Sequence, residues 1–158
     1  LYQSDTSWAD VPYGQATLAS TGAAPVSLAM AYVAATGDTT YTPVEFAQWA
    51  TDHDLTAAGV DTIGAFLQQA GSAFGLAVEP MAVDDRTLRH AIVSNVPVLV
   101  VTQPGTFAPA ASVVVLDDID KDSRIVLHDP TSASRSAKGW AFGDITGAAA
   151  LAFTVHEA

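Results

Sequence analysis

Cysteine is absent from this chain of 158 residues. With it go a disulfide framework, a thiolate zinc site and any thiol nucleophile. Bases are scarce: 6 Lys and Arg stand against 17 Asp and Glu, for a formal net charge of −11. So acidic a surface repels nucleic acid and anionic lipid and favours solubility, and it suits a basic partner better than an acidic one. No stretch approaches the ~20 apolar residues of a membrane span, so no membrane insertion is expected. The strongest apolar run, VPVLVV at 96–101, has strand length. HExxH, the G-x-S-x-G elbow and the EF-hand spacing are all missing, which removes three common routes to hydrolysis or ion binding. No cofactor is expected. Leu1 in place of an initiator Met leads to the expectation of a fragment or processed form, and no signal peptide is seen.

What is present describes a folded domain. The length fits one domain spanning 1–158, and a chain of this size buries roughly 70% of its unfolded surface. Hydrophobic residues make up 49% and charged residues 15%, a globular rather than a disordered balance. There is no internal repeat, linker or low-complexity stretch. The first 20 residues read as irregular.

Helices come next. Pro25 suits a first turn and Gly37 the residue past the end, which predicts a helix from about Ala24 to Thr36. VSLAMAYVAA within it is apolar all round, so the helix is expected to be central and buried. In YTPVEF, Thr42 can cap, Pro43 takes the first position and Glu45 completes a capping box, with Tyr41 and Phe46 as hydrophobic staple. Phe46, Trp49, Ala50 and His53 then share a face. A third helix is expected over Asp61–Phe74, ended by Gly75, and a short fourth after Asp84. PVLVVTQ, SVVVLDDI, RIVLHDP and ALAFTVHE read as strands, with DKDS as a hairpin loop. Helices followed by consecutive strands argue α+β with an antiparallel sheet.

Five phrases, in this order, carry a resemblance: YQSDTSWADVPYG, STGAAPVSLAMAYVAATG, TPVEFAQWA, VPVLVVTQPGTFAPAASVVVLDDID and VLHDPTSASRSAKGWAFGDI. Together they resemble the papain-like cysteine peptidases, and more narrowly the group of bacteriocin-leader (double-glycine) peptidases, family thirty-nine of the cysteine peptidases. The resemblance covers nearly the whole chain. It implies a papain-like fold, N-terminal helices packed on a C-terminal antiparallel sheet, and a bacterial, extracellular or cell-surface setting. The family's nucleophile is a Cys after a Gly turn, at a helix N-terminus whose amides and dipole stabilise a thiolate. Gly22, Ala23 and Ala24 match that place. The family's His precedes the hydrophobic strand, where Ala110 and Ala111 stand. Its third residue matches Asp129, and Gln3, or more weakly Gln15, matches the oxyanion-side amide.

Alanine neither attacks a carbonyl nor carries a proton, and a nucleophile and its base act as a unit. The expectation is therefore a non-catalytic pseudopeptidase that binds a peptide or protein segment in a remnant cleft near Gly22, Ala23, Ala110, Ala111 and Trp140. Two alternatives stand beside it. One is a cysteine peptidase in inactivated form, with Cys and His replaced by Ala. The other is a structural module of an extracellular protein, whose cleft its own side chains fill. Oligomeric state is not legible.

The remaining chemistry-bearing residues have plainer readings. His53 and His90 fall on predicted helices, and no metal spacing links them to His128 or His156. His128 adjoins Asp129, but strand neighbours point to opposite faces. Ser20, Thr21 and Ser27 lie near Ala23 without a base. The acidic clusters read as solvated turns rather than calcium loops, and Trp8 and Trp49 as core or cleft-wall residues. Trp140 and Phe142 alternate about Ala141, which predicts an apolar strand edge. Asp129, deprived of an imidazole, is expected to turn to the backbone amides and hydroxyls of PTSAS for partners.

Overall fold

The computed structural model describes residues 1–56 and 59–158. Its elements run β1 (Pro12–Tyr13), β2 (Ala16–Thr17), α1 (Leu18–Thr21), α2 (Ala23–Thr36), α3 (Pro43–Asp52), α4 (Val60–Ala73), β3 (Leu76–Pro80) and α5 (Asp85–Val93). They continue with β4 (Val98–Thr102), β5 (Ser112–Ile119), β6 (Ile125–His128), α6 (Ala133–Ser136), β7 (Gly139–Trp140), α7 (Phe142–Ala148) and β8 (Ala149–Glu157). The chain is α+β. Its main sheet has six strands in the order β3-β8-β4-β5-β6-β7, and every pairing is antiparallel. A two-stranded hairpin, β1–β2, precedes the helices.

Local chemistry accounts for the helices. α2 ends on Gly37, in the left-handed region at φ 73°, with its amide bonded to Val33 O. The helix has almost no polar side, and nine of its residues from Ala23 to Tyr32 are buried. Ser27, fully buried in its middle, donates to Val113 O at 2.8 Å and so ties α2 to β5. At α3 the box forms: Glu45 Oε2 accepts from Thr42 N at 2.7 Å, and Thr42 Oγ1 accepts from Val44 N at 3.2 Å. Tyr41 and Phe46 meet edge to face at 6.2 Å. His53 does not extend the buried face; it caps α3 and stacks on Trp49. α5 is capped by Asp84, whose Oδ1 accepts from Thr87 N at 2.7 Å.

The sheet is covered on both faces. Leu99, Val101, Val113, Val115, Phe153 and Val155 pack with α2, α3 and α4. Val98, Val100, Val114, Leu116, Leu127 and Ala152 pack with α5 and α7. The expected packing of helices on the sheet assigned no faces; the structure divides them, with α5, the short helix expected after Asp84, and α7 on the second side. It also explains why β4 is apolar without alternation: all five residues are buried. β3 differs as well. It lies between α4 and α5 in sequence and forms the sheet edge beside β8, so the strands are not all C-terminal. The apolar edge expected over Trp140–Phe142 shrinks to β7, because Phe142 opens α7. Among the described residues no helix is long and apolar enough to cross a membrane.

Candidate binding cleft

A steric constraint sets the start of α2. A Cβ on Gly22 would lie 2.6 Å from both the carbonyl oxygen and Cδ2 of Leu18, so only glycine lets α1 turn so tightly into α2. Although Ser20 and Thr21 stand just upstream, no side chain among the described residues caps the helix. Pro25 has no amide hydrogen, and the first helical bond is Val26 N to Gly22 O at 3.1 Å. The amides of Ala23 and Ala24 find no acceptor among the described residues. The positive end of a 14-residue helix is left open at Ala23.

The second wall comes from the segment leading into β5. Ala111 shares strand parity with Val113 and Val115 and packs on the same core as α2. Ser27 fixes that approach by bonding Val113 O at a point where β6 no longer accompanies β5; their pairing begins at Val115.

The third wall follows β6. Asp129 is 1% exposed. Its Oδ1 accepts from Thr131 N at 2.8 Å and from Thr131 Oγ1 at 2.6 Å. Its Oδ2 accepts from Arg135 Nε at 2.6 Å, and Arg135 Nη2 also reaches Thr131 Oγ1 at 2.8 Å. The short turn α6 brings Arg135 back onto Asp129; Ser132 Oγ caps it from Arg135 N at 3.1 Å. Sequence reasoning anticipated Thr131 and missed Arg135. The available signal was a scarce base six residues after a carboxylate, separated from it by a serine-rich turn.

These walls enclose a cleft of ≈ 620 Å³. Gln3, Tyr13, Ser20, Thr21, Ala23 and Ala24 line one side, and Phe107, Ala110, Ala111, Ser112, Thr131 and Arg135 are among those lining the other. Asp129 does not line it but reaches it through Arg135. Gly22 stands behind Ala23. Trp140 also stands one layer back: its ring packs on Phe107 at 4.8 Å and its indole donates to Arg135 O at 3.0 Å. Gln3 lines the cleft, and its Nε2 donates one of its two hydrogens to Ala19 O at 2.7 Å. Gln15 is exposed at the β1–β2 turn, outside the lining.

Among the described residues that line this cleft none is acidic or a histidine, and Arg135 is the one charged side chain. In so acidic a chain that is a local reversal of sign. Burial pushes the Tyr13 phenol up to about 12, so the ring keeps its hydroxyl proton at neutral pH. Thr21 Oγ1 donates to Thr17 O at 3.1 Å and Ser27 to Val113 O. Without a base nearby, neither hydroxyl is activated for attack.

The histidines lie elsewhere. His90 and His156 are exposed, and His128 faces Asp117 at 3.4 Å, away from the buried Asp129. Among the described residues no group of His, Asp and Glu could hold a metal ion. Asp120 Oδ1 instead accepts the amides of Asp122 and Arg124 within its hairpin loop. A second groove of ≈ 640 Å³, lined by Met30, Val33, Tyr41 and Val115 among others, includes none of Ala23, Ala111 and Arg135.

No known family model matches the chain, and no curated protein or solved structure matches it either.

Proposed function

We propose that this chain is a non-catalytic papain-like domain, of the kind that resembles the double-glycine peptidases, and that it binds a peptide or protein segment in the cleft at Ala23. One observation carries the reading. Residues 20–24, 105–112 and 131–135, far apart in sequence, line a single cleft at the N-terminus of a buried helix. Those stretches hold the positions that match nucleophile and base, with the residue that grips Asp129. Among the described residues no side chain fills the cleft, which favours a binding domain over a ligand-free module. Its donors and apolar wall suit an extended backbone. Its chemistry does not suit hydrolysis, since methyl groups stand where attack and proton transfer would occur.

The test is a peptide array probed with the protein and with an Ala110→Trp variant. Ala110 is exposed at the rim, so the indole obstructs the cleft without entering the core. Retention of a subset of peptides, recovered uncleaved, with at least tenfold weaker retention by Ala110→Trp, is the expected result. Retention indifferent to Ala110→Trp places binding elsewhere, and peptide cleavage overturns the non-catalytic reading.

A further inference from the structure

Resting on the reading of this cleft as peptide-binding, we propose that the group seated at Ala23 is the free C-terminal carboxylate of the bound peptide. Three kinds of group belong to residues that line this cleft. The amides of Ala23 and Ala24 are donors without acceptors among the described residues, at the positive end of α2. Arg135 adds a cation, and its Nη1 has no partner among the described residues, since Nε and Nη2 serve Asp129 and Thr131. The third kind includes an acceptor. Gln3, 7% exposed, buries an Oε1 with no hydrogen-bond partner among the described residues, and Ser112, 2% exposed, buries an unpartnered hydroxyl that can donate or accept. Both residues line the cleft.

An orphaned polar atom in a native interior is costly and calls for a partner. Ala23, Ala24 and Arg135 ask for an anionic acceptor, while Gln3 Oε1 asks for a donor. The last residue of a peptide carries both, its carboxylate and its own amide N–H a few bonds apart. A small free acid such as acetate supplies the anion and leaves Gln3 Oε1 unpaired. An internal peptide segment supplies the N–H but brings only a neutral carbonyl to a helix terminus and a guanidinium. No carboxylate is among the described residues of the lining, so none of these repels such a ligand.

The experiment follows amide signals of isotopically labelled protein by NMR during titration with three probes: pooled N-acetyl tetrapeptides with free C-termini, the same pool amidated, and sodium acetate. Two variants accompany it. Arg135→Gln removes the cation but also loosens Asp129. Ala23→Asp leaves that pair alone; it puts a carboxylate in the first turn of α2, which a helix tolerates well, and fills the anion site from within. The free-acid pool is expected to shift the Ala23 and Ala24 amides with at least tenfold tighter binding than the amidated pool, and both variants to lose that preference while Ala23→Asp stays folded. Equal binding of acid and amide pools overturns the carboxylate assignment and leaves the peptide-cleft reading standing. Acetate binding as tight as the acid pool, or undiminished acid binding by folded Ala23→Asp, also overturns it. Binding by neither pool removes both readings.

Discussion

A carboxylate as buried as Asp129 persists only where its charge is paired and its lone pairs are filled. Thr131 supplies an amide and a hydroxyl, and Arg135 a charged donor. Removing the carboxylate strands Arg135 beside Thr131, although a guanidinium that stays 30% exposed recovers part of its hydration. Asp129→Ala is expected to cost about 2–4 kcal/mol, more than two lost neutral hydrogen bonds alone. Asp129→Asn, which keeps an acceptor for Thr131, is expected to cost about half as much. Urea unfolding of the two variants measures this; a loss under about 0.5 kcal/mol for Asp129→Ala shows that the ion pair is dispensable. The residue scale also shows what one chain can and cannot disclose. Thr131 was legible because an aspartate before proline bonds its own next residues. Ala111 was singled out only through the resemblance; that it packs on the core of α2 follows from strand parity with Val113, which the structure supplies. Arg135 was not legible, since its role depends on a single helical turn folding back, and neither was the bond from Gln3 Nε2 to Ala19 O, which joins residues 16 apart.

Among the elements, those with complete terminal chemistry were the most legible. α3, with its box and staple, begins where Thr42 and Pro43 require, and α4 is displaced by one residue at each end from the expected span. β3 was missed because LAVEP offers only two inward residues, Leu76 and Val78, before Pro80 interrupts. α5 was legible from its Asp84 cap, but its place on a second face was not, because a sheet buried on both faces loses the alternation that would have marked one face as wet. α5 carries a testable pH dependence. The Thr87 amide bound to Asp84 is the largest of the contacts that hold this carboxyl below its ordinary value of 3.8. A carboxylate with a lowered folded pKa contributes stability that is fully present above the unfolded value and lost as pH falls through the folded one. Exchange protection at Thr87 is therefore expected to be flat above about pH 4 and to fall in more acid solution. Asp84→Asn, which caps without titrating, should flatten the acid limb; an unchanged limb in that variant means that another group sets it.

At the level of the whole molecule, the two cores on either side of the sheet leave its strand edges as the open question. One edge is β7, only two residues long. Its closeness to the β5–β6 loop depends on Gly139, where a Cβ would lie 2.6 Å from Asp120 Oδ2. The other edge, β3, is longer, but Pro80 lacks an amide hydrogen and Glu79 is exposed beside it. From α4, Gln68 Nε2 approaches Val78 O at 3.5 Å. A strand with so few free groups is a poor template for another chain, and charge and proline at an edge are the usual means of keeping it so. Replacing both Glu79 and Pro80 by Val is expected to leave the fold intact and to raise light scattering on concentration or warming, with sedimentation showing growing assemblies; an unaltered scattering profile means that the edge is guarded by something else. The small features at β3 thus bear on storage and crowding rather than on recognition: a sheet edge that offers a poor template works against the seeding of fibres when the protein is concentrated.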